Sequence, residues 1–279
     1  MDLIPLENLP KLPKLKLAVI GHVEWVQFMK IDNYPQPGEI SHGEIYREEP
    51  AGGGAVTAVE IARLTGGSVH FFTALGMDSI GIKSLNRLDN LGLKTSVAWK
   101  RKPTRKGISM ISSKGDRAIT VIGERLQPLG KDQLPWDELG KYDGIFVTAT
   151  DSEALKQCRK AKVLVGTPRI GLKSFETSNI KLDALIGSAL DPDEEIESQA
   201  MKKTATVRIA TEGALGGESW PGGRFKAAKL QSAVIDTYGC GDCFAAGVTT
   251  GLAAGWNLEK AISLGAHSGA RCVERLGPY

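Results

Sequence analysis

Short apolar runs, each followed by a stretch of helical period, recur along most of this chain, and that rhythm admits few folds. Residues 15–21 (L-K-L-A-V-I-G), 69–75, 145–148, 163–165, 182–186 and 207–210 read as strands, several apolar enough to be buried on both faces. Helical patterns lie between and after them. A glycine run at 52–54 opens one in which Ala58, Ile61, Ala62 and Thr65 share a face, and others cover 79–91, 152–161, 242–254 and 258–274. Strand and helix in alternation build right-handed βαβ units. The expected fold is α/β: a Rossmann-like, mostly parallel central sheet sandwiched between helices, forming one domain over residues 1–279.

Two stretches break the rhythm. Residues 34–50 alternate polar and apolar between prolines, which suggests a peripheral antiparallel hairpin. Residues 95–125 carry two β-prone segments around Ser112-Ser113-Lys114-Gly115-Asp116, a hairpin turn signal. Together, residues 31–50 and 95–125 are expected to form a small β lid. Composition excludes several classes. A net charge of +3 does not argue for nucleic acid or a membrane surface. No apolar run approaches the ~18 residues of a membrane span, and the start, M-D-L-I-P-L-E-N-L-P, matches neither a signal nor a transit peptide. Four cysteines make no disulfide framework, so reduced thiols in the cytoplasm are the expectation. Glycine is in excess, 33 of 279 residues, and without a collagen-like period the excess points to tight turns and ligand loops.

The segment richest in chemistry is Asp236-Thr237-Tyr238-Gly239-Cys240-Gly241-Asp242, followed by C-F-A-A-G. Two glycines around a small residue, just ahead of a helix, present several backbone N–H groups at the positive end of its dipole, where an anion such as phosphate binds. A carboxylate in that turn would repel a simple anion. Asp242 makes sense there if it accepts a proton from a hydroxyl that attacks a phosphoryl group. The plainer alternative is a glycine turn with Asp242 as a first-turn acid of the helix.

This segment resembles the second signature of the ribokinase-like (PfkB-type) carbohydrate kinases, D-T-x-G-[AC]-G-D-x-F. Residues 52–64 followed by 76–81 (G-M-D-S-I-G) resemble the first signature. Residues 211–216 (T-E-G-A-L-G) are similar to the family's nucleotide loop, and Pro103-Thr104 with residues 115–120 to its lid strands. The resemblance implies ATP-dependent phosphorylation of an alcohol on a small molecule, most simply a sugar or sugar derivative. Within it, Asp242 is the general base, and the amides of Gly239, Cys240 and Gly241 hold the developing charge. Asp236 and Thr237 shape the turn and its phosphate contacts. Thr211, Gly213 and Gly216 line the nucleotide site, with a loop around His267 near adenine. Mg2+ bridges the phosphates, mostly through water. Separately from the resemblance, lid strands with exposed edges suggest a homodimer through the lid.

The departures from the family are as informative. The family's Asn-x-x-Glu, which organises magnesium and phosphate, is replaced by Ser188 and Asp191, expected to act indirectly through water. Where ribokinases carry G-G-K-G-x-N, this chain has Gly52, Gly53 and Val56 at the acceptor-binding positions. Val26 stands at the substrate aspartate, with Glu24 nearby as a substitute hydroxyl acceptor; Trp25 reads as a core residue beside the strand, with stacking on the substrate as the alternative. A pocket altered in this way is expected to reject ribose, because hydroxyls would be left unpaired. Alternatives are a nucleoside or vitamin-precursor kinase on the same fold, or an inactive kinase-fold binding protein. The chain stops at Tyr279, where many relatives continue, which suggests a more open adenine pocket.

Three weaker signals remain. Cys240 and Cys243 form C-x-x-C, read as coincidence because no second ligand pair exists. Lys100, Arg101, Lys102, Arg105 and Lys106 form a basic run, read as a solvated edge or as contacts to an anionic substrate such as a sugar phosphate. Asp78 reads as a helix cap rather than a ligand contact.

Overall fold

The computed structural model describes residues 1–113, 117–194, 199 and 201–279. In chain order the strands are β1 (Leu17–Ile20), β2 (Glu24–Ile31), β3 (Gly43–Ala51), β4 (His70–Gly76), β5 (Lys94–Lys100), β6 (Lys106–Ser112), β7 (Arg117–Ile122), β8 (Gly144–Val147), β9 (Val163–Gly166), β10 (Leu182–Ser188), β11 (Ala205–Thr211), β12 (Gly217–Trp220) and β13 (Gly223–Phe225). The helices are α1 (Gly53–Thr65), α2 (Ser79–Asn90), α3 (Ser152–Cys158), α4 (Leu172–Ser178), α5 (Cys240–Ala253) and α6 (Leu258–Val273).

Nine strands form one sheet in the order β13-β12-β11-β10-β9-β8-β1-β4-β5. From β11 to β5 every neighbouring pair is parallel. β1, β4 and β8 are buried along their whole length, as strands covered on both faces must be. One apolar core lies on the α1, α5 and α6 face, and a second on the α3 and α4 face. Between α5 and α6 the backbones nearly touch: a Cβ on Gly247 would lie 2.6 Å from Gly265 Cα. Strand order reverses beside β1, since β4 and β5 extend to one side and β8 to β11 to the other. The C-terminal ends of β1 and β8 therefore flank the crevice where ligands bind in open α/β sheets.

The second sheet, β3-β2-β6-β7, is the lid, and here the expected boundaries need correction. Its first hairpin pairs β2 with β3 antiparallel, so residues 34–42 are the connection rather than a strand. Pro35, Pro37 and Gly38 interrupt the alternation there. β2, placed before residue 31, is a strand the sequence reading missed. At the other insert, β5 belongs to the main sheet and pairs parallel with β4. It returns from α2 as an ordinary βαβ crossover, and only β6 and β7 reach the lid. Lys114, Gly115 and Asp116, central to the expected turn, lie outside the described residues. The antiparallel edge hairpin β12–β13 was also not anticipated. The expected helix 152–161 ends at Cys158.

Asp78 caps α2 as expected, accepting from Gly81 N at 2.7 Å. It also accepts from Thr104 N and Oγ1 at 2.7 and 2.9 Å. Pro103-Thr104 thus lies in the loop between β5 and β6, with Thr104 buried and Pro103 exposed, not in a lid strand. Among the described residues, no helix is long and apolar enough to cross a membrane.

Candidate active site

The site forms where the N-termini of α1 and α5 meet the ends of β1 and β8. After β1 the chain passes through Gly21 and His22, which pack directly on α1: a Cβ on Gly54 would lie 2.7 Å from the His22 carbonyl oxygen. Gly52, at φ +86, caps α1 in a conformation that favours glycine. A Cβ at 52 would lie 3.1 Å from the His22 ring and 3.4 Å from Glu24 Cγ. One residue on, a Cβ at 53 would lie 2.9 Å from Asp242 Oδ1 and 3.3 Å from Thr148 Oγ1. Gly52 and Gly53 therefore link the Glu24 end of the cleft to the Asp242 end.

The turn before α5 is built by Asp236. Its buried carboxylate accepts from Tyr238 N at 2.9 Å, Gly277 N at 3.0 Å and Tyr46 OH at 3.3 Å. Those bonds hold the turn, and Cys240 N closes it on the Thr237 carbonyl at 3.4 Å. Gly239 has φ +77 and approaches Val56 so closely that a Cβ would lie 2.8 Å from Val56 Cγ1. Val56 itself is 1% exposed and forms an apolar floor beneath the turn. Tyr238 OH accepts from Gly52 N at 3.1 Å, tying this turn to the start of α1. Among the described residues, the amides of Gly241 and Asp242 donate to no backbone carbonyl, and the space around Gly241 is open.

Asp242 stands in the first turn of α5. Burial pushes its carboxyl up to about 7, and the nearby Glu194 adds to the rise, while Arg169 and Arg117 pull the other way. A carboxyl poised near neutrality is what a general base needs. At the other end, His22 is held neutral, near 3, by burial and by Arg125, Arg105 and Arg169. Glu24 pairs with Arg105 at 3.2 Å and approaches His22 at 3.6 Å. Burial raises its carboxyl, and the same arginines offset part of that rise.

Ser188 ends β10 and Asp191 follows it, but neither is free. Asp191 Oδ2 pairs with Arg169, and its Oδ1 accepts from Asp193 N at 3.0 Å. Glu194, which sequence reasoning did not single out, pairs with Arg169 through Oε1 and accepts from Ser188 N at 2.9 Å through Oε2. No three His, Cys, Asp or Glu side chains among the described residues are grouped to hold a metal by themselves. This donor set fits a metal that arrives on a nucleotide and keeps its water, not a protein-built cage.

Thr211 ends β11 beside Ser188, and its Oγ1 donates to the Gly187 carbonyl at 3.3 Å. Gly213 and Gly216 follow in a turn where Glu212 N bonds the Gly216 carbonyl at 2.8 Å. His267 departs from expectation. It lies inside α6 rather than in a loop, with Nε2 2.9 Å from the Ile4 carbonyl oxygen. Its hydrogen bond thus goes to the N-terminal segment and not to another site residue.

Trp25 takes the core reading over stacking. It is buried, with the Lys83 ammonium 4.3 Å from its ring centroid. Cys240 and Cys243 do not act as a pair: Cys243 is fully buried beside Cys272, and burial pushes the Cys240 thiol up to about 11. Arg125, Arg169 and Glu194 were missed because only the tertiary fold brings them to the cleft; no spacing signal marks them.

An open parallel sheet with a carboxylate and a glycine turn at its switch point, under a four-stranded lid, defines the class of small-molecule kinases with the ribokinase fold. The chain belongs to the pfkB family of carbohydrate kinases, whose family model matches residues 14–166 and 177–279. It is 24% identical over 271 residues to the ribokinase of Bacillus subtilis, covering 88% of each chain. It is 25% identical to the fructoselysine 6-kinase of Escherichia coli, covering 89% of this chain and 96% of the relative. A ribokinase of Cryptococcus neoformans, crystallised with ADP, superposes with a TM-score of 0.69 at 23% identity over 95% of both chains.

Proposed function

We propose that this protein transfers the γ-phosphoryl group of ATP to a hydroxyl of a sugar or sugar derivative. The observation that carries the reading is the Asp242 carboxyl, pushed to about 7 at the open N-terminus of α5. Asp242 accepts the proton of the attacking hydroxyl as the oxygen–phosphorus bond forms. The amides of Gly239 and Gly241 face the oxygens on which charge develops, while that of Cys240 holds the turn on Thr237. Asp236 and Thr237 hold that turn in shape. Thr211, Gly213 and Gly216 border the nucleotide at the end of β11. Ser188, Asp191 and Glu194 are the residues that would hold the water shell of a Mg2+ ion carried by the nucleotide, which would supply charge neutralisation at the phosphates.

On the acceptor side, Glu24, Gly52 and Gly53 border the space next to Asp242, over the floor that Val56 provides. The whole chain acts as one kinase domain, and the four free cysteines suit a reducing cytoplasm. A second copy would cover Ile119, Val121 and Ile122, which β7 leaves exposed on the lid. The reading is tested by following ADP release from ATP over a panel of sugars, sugar derivatives and nucleosides. Acceptor-dependent ADP release with a sugar-class compound is expected. ATP bound without turnover across the panel would favour a kinase-fold binding protein instead.

A further inference from the structure

Charge in the cleft is distributed unevenly between its two ends. Near Asp242 the carboxylates are matched: Asp191 and Glu194 both pair with Arg169, and Arg117 also acts on Asp242. Near Glu24 the arginines prevail. Arg105 pairs with Glu24, yet its Nε is buried with no hydrogen-bond partner. Arg125 is half-buried and, among the described residues, has no carboxylate partner. Its hydrogen bond, from Nη2, goes to the Arg169 backbone carbonyl at 3.0 Å.

Two guanidiniums thus share one carboxylate in a partly desolvated place, which is costly unless a ligand supplies the missing charge. Burial, and then Arg105 and Arg169, lower the Arg125 guanidinium against a pull from Glu24, and burial with all three arginines keeps His22 neutral. Arg125 also lines an open cleft of about 660 Å³ with Lys100, Arg101 and Lys102. On that wall Lys100 and Lys102 are already paired, with Asp132 and Glu124.

We propose that the acceptor carries an anionic group, a phosphate monoester or a carboxylate, seated on Arg125 and Arg105 beside Glu24. The proposal rests on the kinase reading above. The planar fork of a guanidinium matches both anions. A neutral polyol of the same size would leave Arg125 unpaired.

The test uses the full chain and matched acceptors: a neutral sugar, its monophosphate ester and its sugar acid, with ADP release as readout. One of the charged acceptors is expected to exceed the neutral one in kcat/KM by about 100-fold, and which one it is distinguishes phosphate from carboxylate. Arg125→Gln should lower that kcat/KM about 10–100-fold, mainly through KM, as expected for losing a charge-assisted hydrogen bond. The KM for ATP and the rate with the neutral sugar should stay within a few-fold. Arg125→Lys serves if the glutamine variant does not fold.

A neutral sugar used as well as its charged partners overturns the inference and leaves the kinase reading standing. So does an Arg125 variant that weakens both acceptors alike or raises the KM for ATP. If no acceptor is turned over, the kinase reading fails and the inference is read from thermal unfolding instead. A midpoint raised by the sugar phosphate or sugar acid but not by the neutral sugar, and no longer raised in Arg125→Gln, supports it. Equal shifts or none overturn it.

Discussion

Gly53 lies so close to Asp242 that a Cβ placed on it would sit 2.9 Å from the Asp242 Oδ1. The start of α1 therefore fixes where the carboxylate of α5 can point. Gly53→Ala is expected to turn that carboxylate and lower kcat about 10–100-fold, the scale of an ångström's misplacement at a reacting centre. Stability should change by less than about 1 kcal/mol, because the displaced atom ends a side chain and alanine favours the helix. Turnover and thermal unfolding measured on the same preparation separate the two effects. An unchanged kcat would contradict this placement.

The Asp242 carboxyl, raised to about 7, should set the acid limb of activity. As the base must be ionised, kcat/KM is expected to climb about tenfold per pH unit up to about 7 and then level off. His22, held near 3, contributes no step in that range. A pH–rate profile under saturating ATP checks this, and a profile flat from pH 5 to 8 would speak against it.

The same raised carboxyl carries a stability cost whose sign is fixed. Asp242 titrates higher in the folded protein than the ordinary aspartate range near 3.9, so folding favours its protonated form. Its contribution is therefore favourable at low pH and is lost as pH rises toward 7. Asp242→Asn should raise the unfolding midpoint at pH 7.5, by roughly 1–3 kcal/mol in stability, and change little at pH 4. Denaturant melts at the two pH values decide the matter; a destabilised variant at pH 7.5 would refute it.

Two glycines of the phosphate turn should respond differently to alanine. Gly239 has φ +77 and faces Val56, so Gly239→Ala is expected to cost about 1–3 kcal/mol. Gly241 has open space at its Cβ position, and Gly241→Ala should fold with nearly native stability. Equal losses in the two variants would mean that the Val56 contact does not constrain the turn.

Asp78 should matter to stability and not to chemistry. Burial pushes its carboxyl up, but bonds from the Gly81 amide and from the Thr104 amide and hydroxyl prevail and hold it low. A depressed carboxyl stabilises above its unfolded value and loses that contribution as pH falls through the folded one. Asp78→Ala should cost about 1–2 kcal/mol at pH 7, less at pH 3, and leave KM for ATP and acceptor unaltered. A large rise in either KM would place Asp78 in the ligand site after all.

How much of this was legible beforehand depended on whether the signal was local. β1, β4 and β8 announced themselves because a strand buried on both faces is apolar throughout. The turn from Asp236 to Asp242 was legible because adjacent residues carry its chemistry. β2 was missed because Glu24 to Ile31 pairs with β3 across a connection broken by Pro35 and Pro37, leaving no two-residue hairpin turn to mark it. β5 was assigned to the lid because its β-prone sequence does not reveal which sheet it will join. Arg125, Arg169 and Glu194 lie on three separate connections, and only the sheet order brings them to one cleft. His267 shows the converse: its helical spacing was visible at 258–274, yet the resemblance alone suggested a loop.

The central claim is that Asp242 takes the proton from the attacking hydroxyl, and Asp242→Asn tests it most directly. With the acceptor identified, the variant is expected to bind ATP with near-native affinity while kcat falls on the order of 10²–10⁴-fold. ATP-dependent turnover near the native rate in Asp242→Asn would contradict the account.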